Sequence, residues 1–94
     1  MVVEVALFDV SDPEGFRAAY LGVREVIATA PGCQSVRMTS GIESPNRFVL
    51  IVEWDSVEAH EANFRQTELF ATWRAAIGPY FASPPVVEHF LDVR

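Results

Sequence analysis

The sequence contains no lysine, and all seven of its basic residues are arginines. Without a lysine amine, the chain cannot form a Schiff base with a substrate or complete a phosphate-binding P-loop. It has one cysteine, Cys33, which excludes an internal disulfide and a cysteine metal cluster. The net charge of −6 argues against binding to the phosphate backbone of a nucleic acid. These absences remove several large classes of function.

Long apolar runs are also absent. No uninterrupted apolar segment approaches the ~20 residues that a membrane-spanning helix requires. The first nine residues carry acids where a signal peptide carries positive charge. We therefore expect a cytoplasmic protein that makes no membrane contact. Half of the 94 residues are hydrophobic, which is enough for one folded domain over residues 1–94.

The segment from Asn46 to Phe64 indicates a strand that runs directly into a helix. Residues 48–52 are all apolar, so both faces of this strand should be covered. Asp55 or Ser56 can cap the helix that follows, and Glu58 lies three residues after Asp55, as in a capping box. The covered strand is the centre of the predicted fold.

The remaining patterns predict a β-α-β-β-α-β order. Right-handed crossovers then give a four-stranded antiparallel sheet with both helical segments on one face. The other face would expose a large apolar surface, so we expect a homodimer that buries it. The predicted elements are strand 2–10, a helix from Ser11–Glu14 to Pro31–Gly32, strand 34–40, a hairpin loop 41–46, strand three to Trp54, a helix from Ser56 with a break at 66–68, a further helix to Gly78–Pro79, and strand 86–93.

His60 is the first candidate for chemistry. It shares the inner stripe of the second helix with Val57 and Phe64, and it should point at the sheet. One interpretation is a proton donor or acceptor in a pocket between helix and sheet. The other is a packed ring with one hydrogen bond. His60-Glu-Ala-Asn-Phe64 also approaches the zinc motif H-E-x-x-H, but a phenylalanine replaces the second ligand, so no metal is predicted.

The last strand and the helices supply further candidates. His89 alternates with Val87 on an apolar strand face, and it could either approach His60 or lie in a subunit interface. Aromatic residues on the helical side could form core packing or a pocket for a flat apolar ligand. These are Tyr20, Phe64, Phe70, Trp73, Tyr80 and Phe81. Three arginines could hold an acidic or phenolate group or could be solvated at the surface: Arg47, Arg65 and Arg74.

Two segments, Trp54-Asp-Ser-x-Glu-Ala and Thr67-x-x-Phe70-x-x-Trp73, resemble the antibiotic biosynthesis monooxygenase (ABM) domain family. The resemblance covers nearly the whole chain. It implies a dimeric α+β protein of the ferredoxin-like, α/β-barrel type. It also implies one of several activities, which include cofactor-independent oxygenation of aromatic polyketides, haem degradation and isomerisation of signal molecules.

The haem-degrading branch of that family has a Trp and a haem-ligating His on the second helical region. Counted from Trp54 without a gap, these positions fall on Asn63 and Trp73. With one inserted residue they fall on Phe64 and Arg74. Neither alignment supplies a histidine, and strand one lacks the branch's Asn, so haem degradation by that arrangement is not expected.

The resemblance and the residues together give three hypotheses. The first is a cofactor-independent monooxygenase for a small aromatic or quinol-like molecule. Its catalytic residues would be His60 and Trp73, with substrate contacts from Phe64, Asn63, Tyr20, His89 and Arg74. The second is a non-catalytic dimer that binds a small hydrophobic ligand, and the third is isomerase-type chemistry in the same pocket. Oxygen uptake with a phenol or quinol would separate the first two.

Overall fold

The computed structural model describes residues 1–94 and has the predicted ferredoxin-like order. Four strands form one antiparallel sheet in the spatial order β2-β3-β1-β4. The strands and helices are β1 (Val2–Asp9), α1 (Pro13–Ala28), β2 (Cys33–Ser40), β3 (Arg47–Trp54), α2 (Val57–His60), a π-helical turn (Glu61–Arg65), α3 (Glu68–Ile77), a 3₁₀ turn (Gly78–Tyr80) and β4 (Val86–Phe90). No helix is long and apolar enough to cross a membrane.

Side-chain alternation on the two central strands separates a buried face from an open one. On β1, Glu4, Ala6 and Phe8 are buried beneath the helices, as are the even-numbered residues of β3 from Phe48 to Trp54. The odd-numbered residues face the other way and are less buried. The prediction that the helices cover only one face of the sheet is therefore confirmed.

Helix α1 begins where the sequence predicts and ends at Ala28, before the expected stop at Pro31–Gly32. The Asp12 side chain accepts a hydrogen bond from the Gly15 amide, and Pro13 occupies the first turn, where its missing N–H costs nothing. Gly32 follows the helix with φ of +92°, a conformation that a residue with a side chain rarely adopts. This turn sends the chain directly into β2.

Of the two N-cap residues that the sequence offers for the second helical region, the structure selects one, and two other predictions for this region fail. Ser56, not Asp55, is the N-cap, because its hydroxyl accepts from the Ala59 amide. The expected capping box with Glu58 is therefore wrong. Val57 is 39% exposed, so its assignment to the inner stripe is also wrong. Only His60 and Phe64 of that stripe are buried.

The helix also continues in a form that the sequence pattern did not indicate. Residues Glu61–Arg65 form a π-helical turn, closed by a hydrogen bond of 3.0 Å from the Gln66 amide to the Glu61 carbonyl. Thr67 then caps α3 by accepting from the Leu69 amide, as the predicted break requires. Single π-helical turns are rare and frequently lie at functional sites.

Strand β4 is shorter than expected. It ends at Phe90, which pairs with Val3 of β1, rather than at Val93. Residues 91–94 are exposed. The helix-facing residues of β4 are Val87 and His89, which resolves the direction of the His89 side chain.

Candidate functional site

Four side chains from four elements meet beneath the second helical region, and we call them the polar cluster. They are Glu4 of β1, Trp54 of β3, His60 of α2 and His89 of β4. Glu4 and His89 face each other across the β1–β4 ladder, which places both on the helix side of the sheet. Glu4, Trp54 and His60 are buried, whereas His89 is partly exposed.

The cluster forms a continuous chain of contacts. The Trp54 indole N–H donates to Glu4 Oε1 at 2.9 Å, and His60 Nε2 lies 3.4 Å from the same oxygen. On the other side of its ring, His60 Nδ1 lies 2.7 Å from His89 Nε2, a hydrogen-bond distance. The Trp54 and His60 rings stack with centroids 5.0 Å apart. Both nitrogens of His60 therefore face a polar partner.

Burial controls the charge of this cluster. It lowers the pKa of His60 from 6.5 to about 4, and nearby His89 and Arg65 add to the effect. Burial raises the pKa of Glu4, against the opposing effects of the Trp54 hydrogen bond and the Arg65 charge. His60 is thus neutral at pH 7, and its contact with Glu4 is not an ion pair. A neutral imidazole keeps one nitrogen lone pair that can accept a proton.

The polar cluster forms one end of a cavity of about 330 Å³ between the helices and the sheet. Glu4 and His60 both line it. Its other walls are mostly aromatic and aliphatic: Ala6, Phe8, Ile27, Leu50, Phe64, Phe70, Trp73, Phe81, Pro85 and Val87. A mainly apolar cavity with a few convergent polar groups is the usual form of a small-molecule site.

Two arginines complete the cavity lining. The Arg65 guanidinium lies 5.2 Å from the centre of the Phe70 ring, and that of Arg74 lies 5.3 Å from the centre of the Phe81 ring. Contacts of this kind hold a cation over an aromatic face. Both arginines are exposed at the residue level, so their charges lie at the solvent side of the cavity.

A family comparison decides what kind of protein carries this cavity. Residues 1–76 match the model for the family described as antibiotic biosynthesis monooxygenase. The chain belongs to the antibiotic biosynthesis monooxygenase family. That match includes most of the cavity lining, from Glu4 to Arg74.

Solved structures of other ABM proteins agree with this assignment. A Bordetella bronchiseptica protein assigned to the same class is 35% identical, with 99% of this chain and 97% of that chain covered and a TM-score of 0.93. The monooxygenase from the gene ActVA-Orf6 of Streptomyces coelicolor, solved with nanaomycin D, is 25% identical, with 99% and 88% covered and a TM-score of 0.82. SnoaB of Streptomyces nogalater, a cofactor-independent oxygenase, shares the fold at 18% identity, with 99% and 93% covered and a TM-score of 0.82.

Most of the candidate residues lie together in this ABM chain. The candidates that line the cavity are His60, Phe64, Trp73 and Arg74. His89 is not part of the lining and instead contacts His60. Tyr20 packs edge-on against Trp73, with centroids 6.1 Å apart, and does not reach the cavity.

Two other candidates point away from the cavity. The Asn63 amide donates to the Pro31 carbonyl at 2.6 Å, where it ties the π-helical turn to the end of α1. Arg47 pairs with Asp9 at 3.2 Å at the other end of β3. Neither side chain lines the cavity.

Glu4 is the principal site residue that the sequence reading did not select. The sequence does indicate it, because Glu4 alternates in phase with Ala6 and Phe8, and an acid on a buried strand face is almost always paired with another polar group. What the sequence did not show is its partner, since Trp54 lies 50 positions along the chain. Phe81 and Arg65 also line the cavity. The sequence indicates them only as members of the aromatic set and of the three candidate arginines.

A metal ion is the alternative to a shared proton at the two histidines. His60, Glu61 and His89 bring one ligand atom each within 4.8 Å of one another. A tetrahedral zinc ion with bonds of about 2.0–2.1 Å would separate two ligand nitrogens by roughly 3.3 Å. The two nitrogens are 2.7 Å apart, so their spacing fits a hydrogen bond better than a shared metal ion.

Proposed function

We propose that this ABM protein is a cofactor-independent monooxygenase for a small aromatic substrate with a phenol or quinol hydroxyl. The observation that carries the proposal is the cavity itself, in which Glu4 and His60 meet an otherwise apolar and aromatic wall. The fold likeness to a cofactor-independent oxygenase, and to a monooxygenase solved with nanaomycin D, supports it.

The size of the cavity limits the substrate. A buried apolar cavity of about 150 Å³ accommodates a benzene molecule. The 330 Å³ between helices and sheet therefore has room for about two fused rings. Phe64 and Trp73 lie with their rings nearly perpendicular, 6.2 Å apart, and can contact such a substrate on its face and its edge.

His60 is our candidate for the group that accepts the hydroxyl proton. The ring is buried, neutral and fixed by stacking against Trp54, so it has few other orientations available. A general base needs an unprotonated nitrogen within hydrogen-bond reach of its target. Nε2 faces Glu4, which also lines the cavity, so this nitrogen is the one we assign to the substrate.

Arg65 and Arg74 would hold the anion that results. Removal of the hydroxyl proton leaves a negative charge on the substrate oxygen, and Arg65, whose positive charge already acts on the pKa of both His60 and Glu4, stabilises it. The charge-dense, electron-rich anion is the form that reacts with O₂ without a cofactor. The aromatic wall keeps bulk water from this reaction, which strengthens the electrostatic effect of the two arginines.

We also propose that the protein is a homodimer that buries the open face of the sheet. Leu7 is 43% exposed there, and Val86 and Phe90 on β4 are 53% and 47% exposed. Val5 on β1 and Ile51 on β3 pair with each other at the centre of this face, and both are partly buried. An apolar face of this kind is the usual sign of a protein partner, and a two-fold contact is the commonest solution.

The test is oxygen consumption with a dihydroxynaphthalene as the probe, corrected for its uncatalysed oxidation. We expect the wild type to consume O₂, and His60→Gln to be slower by roughly a hundredfold with the cavity wall intact. Glu58→Gln, an exposed change on the same helix, is the matched control and should retain activity.

Two other results would each refute the monooxygenase proposal. Binding of the probe without O₂ consumption, unchanged under an inert atmosphere, would support a non-catalytic binding protein. A product at the same oxidation level as the substrate would support isomerase chemistry.

A further inference from the structure

The proposed base is deeply buried at the cavity wall. His60 is 2% exposed, and its two ring nitrogens face Glu4 and His89. A proton that enters the ring must leave before the next turnover. With a substrate seated against Nε2, the contact of Nδ1 with His89 is the exit that the protein itself provides.

His89 is placed to receive it. Its Nε2 lies 2.7 Å from His60 Nδ1, the shortest contact that either ring makes, and the His89 ring makes no other hydrogen bond. His89 is partly exposed and lies on β4, the edge strand of the sheet. The pair therefore joins the buried end of the cavity to the protein surface within two side chains.

We propose that His89 is a proton-relay residue that carries the substrate proton from His60 to solvent. This inference rests on the proposed function. The substrate O–H bond breaks as His60 Nε2 takes the proton, His60 passes its Nδ1 proton to His89 Nε2, and His89 passes its Nδ1 proton to water. One proton enters the pair, one leaves, and both rings remain neutral.

The reverse passage completes the cycle. The substrate anion adds O₂ to form a C–O bond and a peroxide anion, which takes up one proton. Loss of the hydrogen on the same carbon then breaks the O–O bond, so that the outer oxygen leaves as water and a carbonyl remains. The same two rings return that proton from solvent, and their original tautomers are restored. Glu4 does not move in this scheme. It accepts from Trp54 and lies beside the nitrogen of His60 that meets the substrate.

Two substitutions at one position separate relay from packing. His89→Ala opens a space that free imidazole can enter, and His89→Phe fills that space without a nitrogen. We expect both variants to lose roughly a hundredfold in kcat with an unchanged KM, and imidazole to restore the alanine variant alone. Glu88→Gln, which faces away from the helices on the same strand, is the control and should behave as the wild type.

A spectroscopic measurement reports on the pair without any turnover. Nitrogen-15 NMR of histidine-labelled wild type should show a proton shared between His60 Nδ1 and His89 Nε2, and either substitution should remove it. Absence of that signal in folded wild type, or full kcat in His89→Phe, would overturn the relay alone. A wild type that oxidises no hydroxyarene would refute the proposed function, and the relay would fail with it.

Discussion

The buried neutral histidine predicts a specific dependence of stability on pH. Folding lowers the pKa of His60 from 6.5 to about 4, so between these values the unfolded chain binds a proton that the folded chain does not. The free energy of unfolding therefore falls as the pH is lowered through this window. Replacement of His60 by Gln removes the titration and keeps a polar side chain of similar reach.

The magnitude follows from the shift. Each pKa unit corresponds to about 1.4 kcal/mol, so lowering the pH from 7.5 to 4.0 should cost the wild type about 3 kcal/mol through His60. Glu4 acts in the opposite direction. Its raised pKa stabilises the fold below pH 4.5, and that stabilisation is lost as the pH rises through the raised pKa. Glu4→Gln should remove this second pH dependence of the free energy of unfolding and leave only that of His60.

The assay is urea denaturation at 25 °C across this pH range for the wild type, His60→Gln and Glu4→Gln. We expect the stability advantage of the wild type over His60→Gln to shrink by about 3 kcal/mol between pH 7.5 and pH 4.0. Glu58→Gln, an exposed acid, should parallel the wild type. Parallel curves for the wild type and His60→Gln would refute the reasoning, because they would show that His60 is accessible to protons in the folded state.

Three further predictions concern packing, assembly and charge. Trp54 is fully buried, so Trp54→Ala should lower the free energy of unfolding in urea by about 3–5 kcal/mol; a loss of activity with unchanged stability would contradict its structural role. Ile51→Asp on the open sheet face should convert the proposed dimer to a monomer in sedimentation, whereas Leu21→Asp on exposed helix surface should not. Arg74→Gln should weaken the binding of an anionic naphthol probe about tenfold in fluorescence titration, and Arg94→Gln should leave it unchanged.

The order of strands and helices could be predicted because several local signals agree. The two central strands alternate in the right phase, Pro13 marks the start of α1, Gly32 marks the turn before β2, and Thr67 marks the start of α3. Predictions at the ends of elements were weaker. The length of β4 depends on where its partner β1 begins, which is a tertiary property rather than a local one.

The candidate site was harder to predict than the fold. His60 could be selected because it is a polar residue on an otherwise apolar inner helical stripe, and Trp73 because it lies on the inner stripe of the next helix. The proximity of Glu4 and His89 could not be predicted, because it depends on the register of β1 against β4. A slip of one residue would turn one of the two side chains to the other face of the sheet. The π-helical turn was also hidden, since the four-residue spacing of His60 and Phe64 fits an ordinary α-helix equally well.

The polar cluster occupies the position where this small protein would gain most from apolar packing. A domain of 94 residues has a modest core, and burial of an acid and a histidine in it carries a cost that apolar side chains would avoid. Two features reduce that cost: Glu4 accepts the Trp54 N–H, and His60 remains uncharged. The same two features leave a fixed, neutral imidazole on the wall of a mainly aromatic cavity. The arrangement that makes the cluster tolerable in the fold is therefore also the one that a buried general base requires.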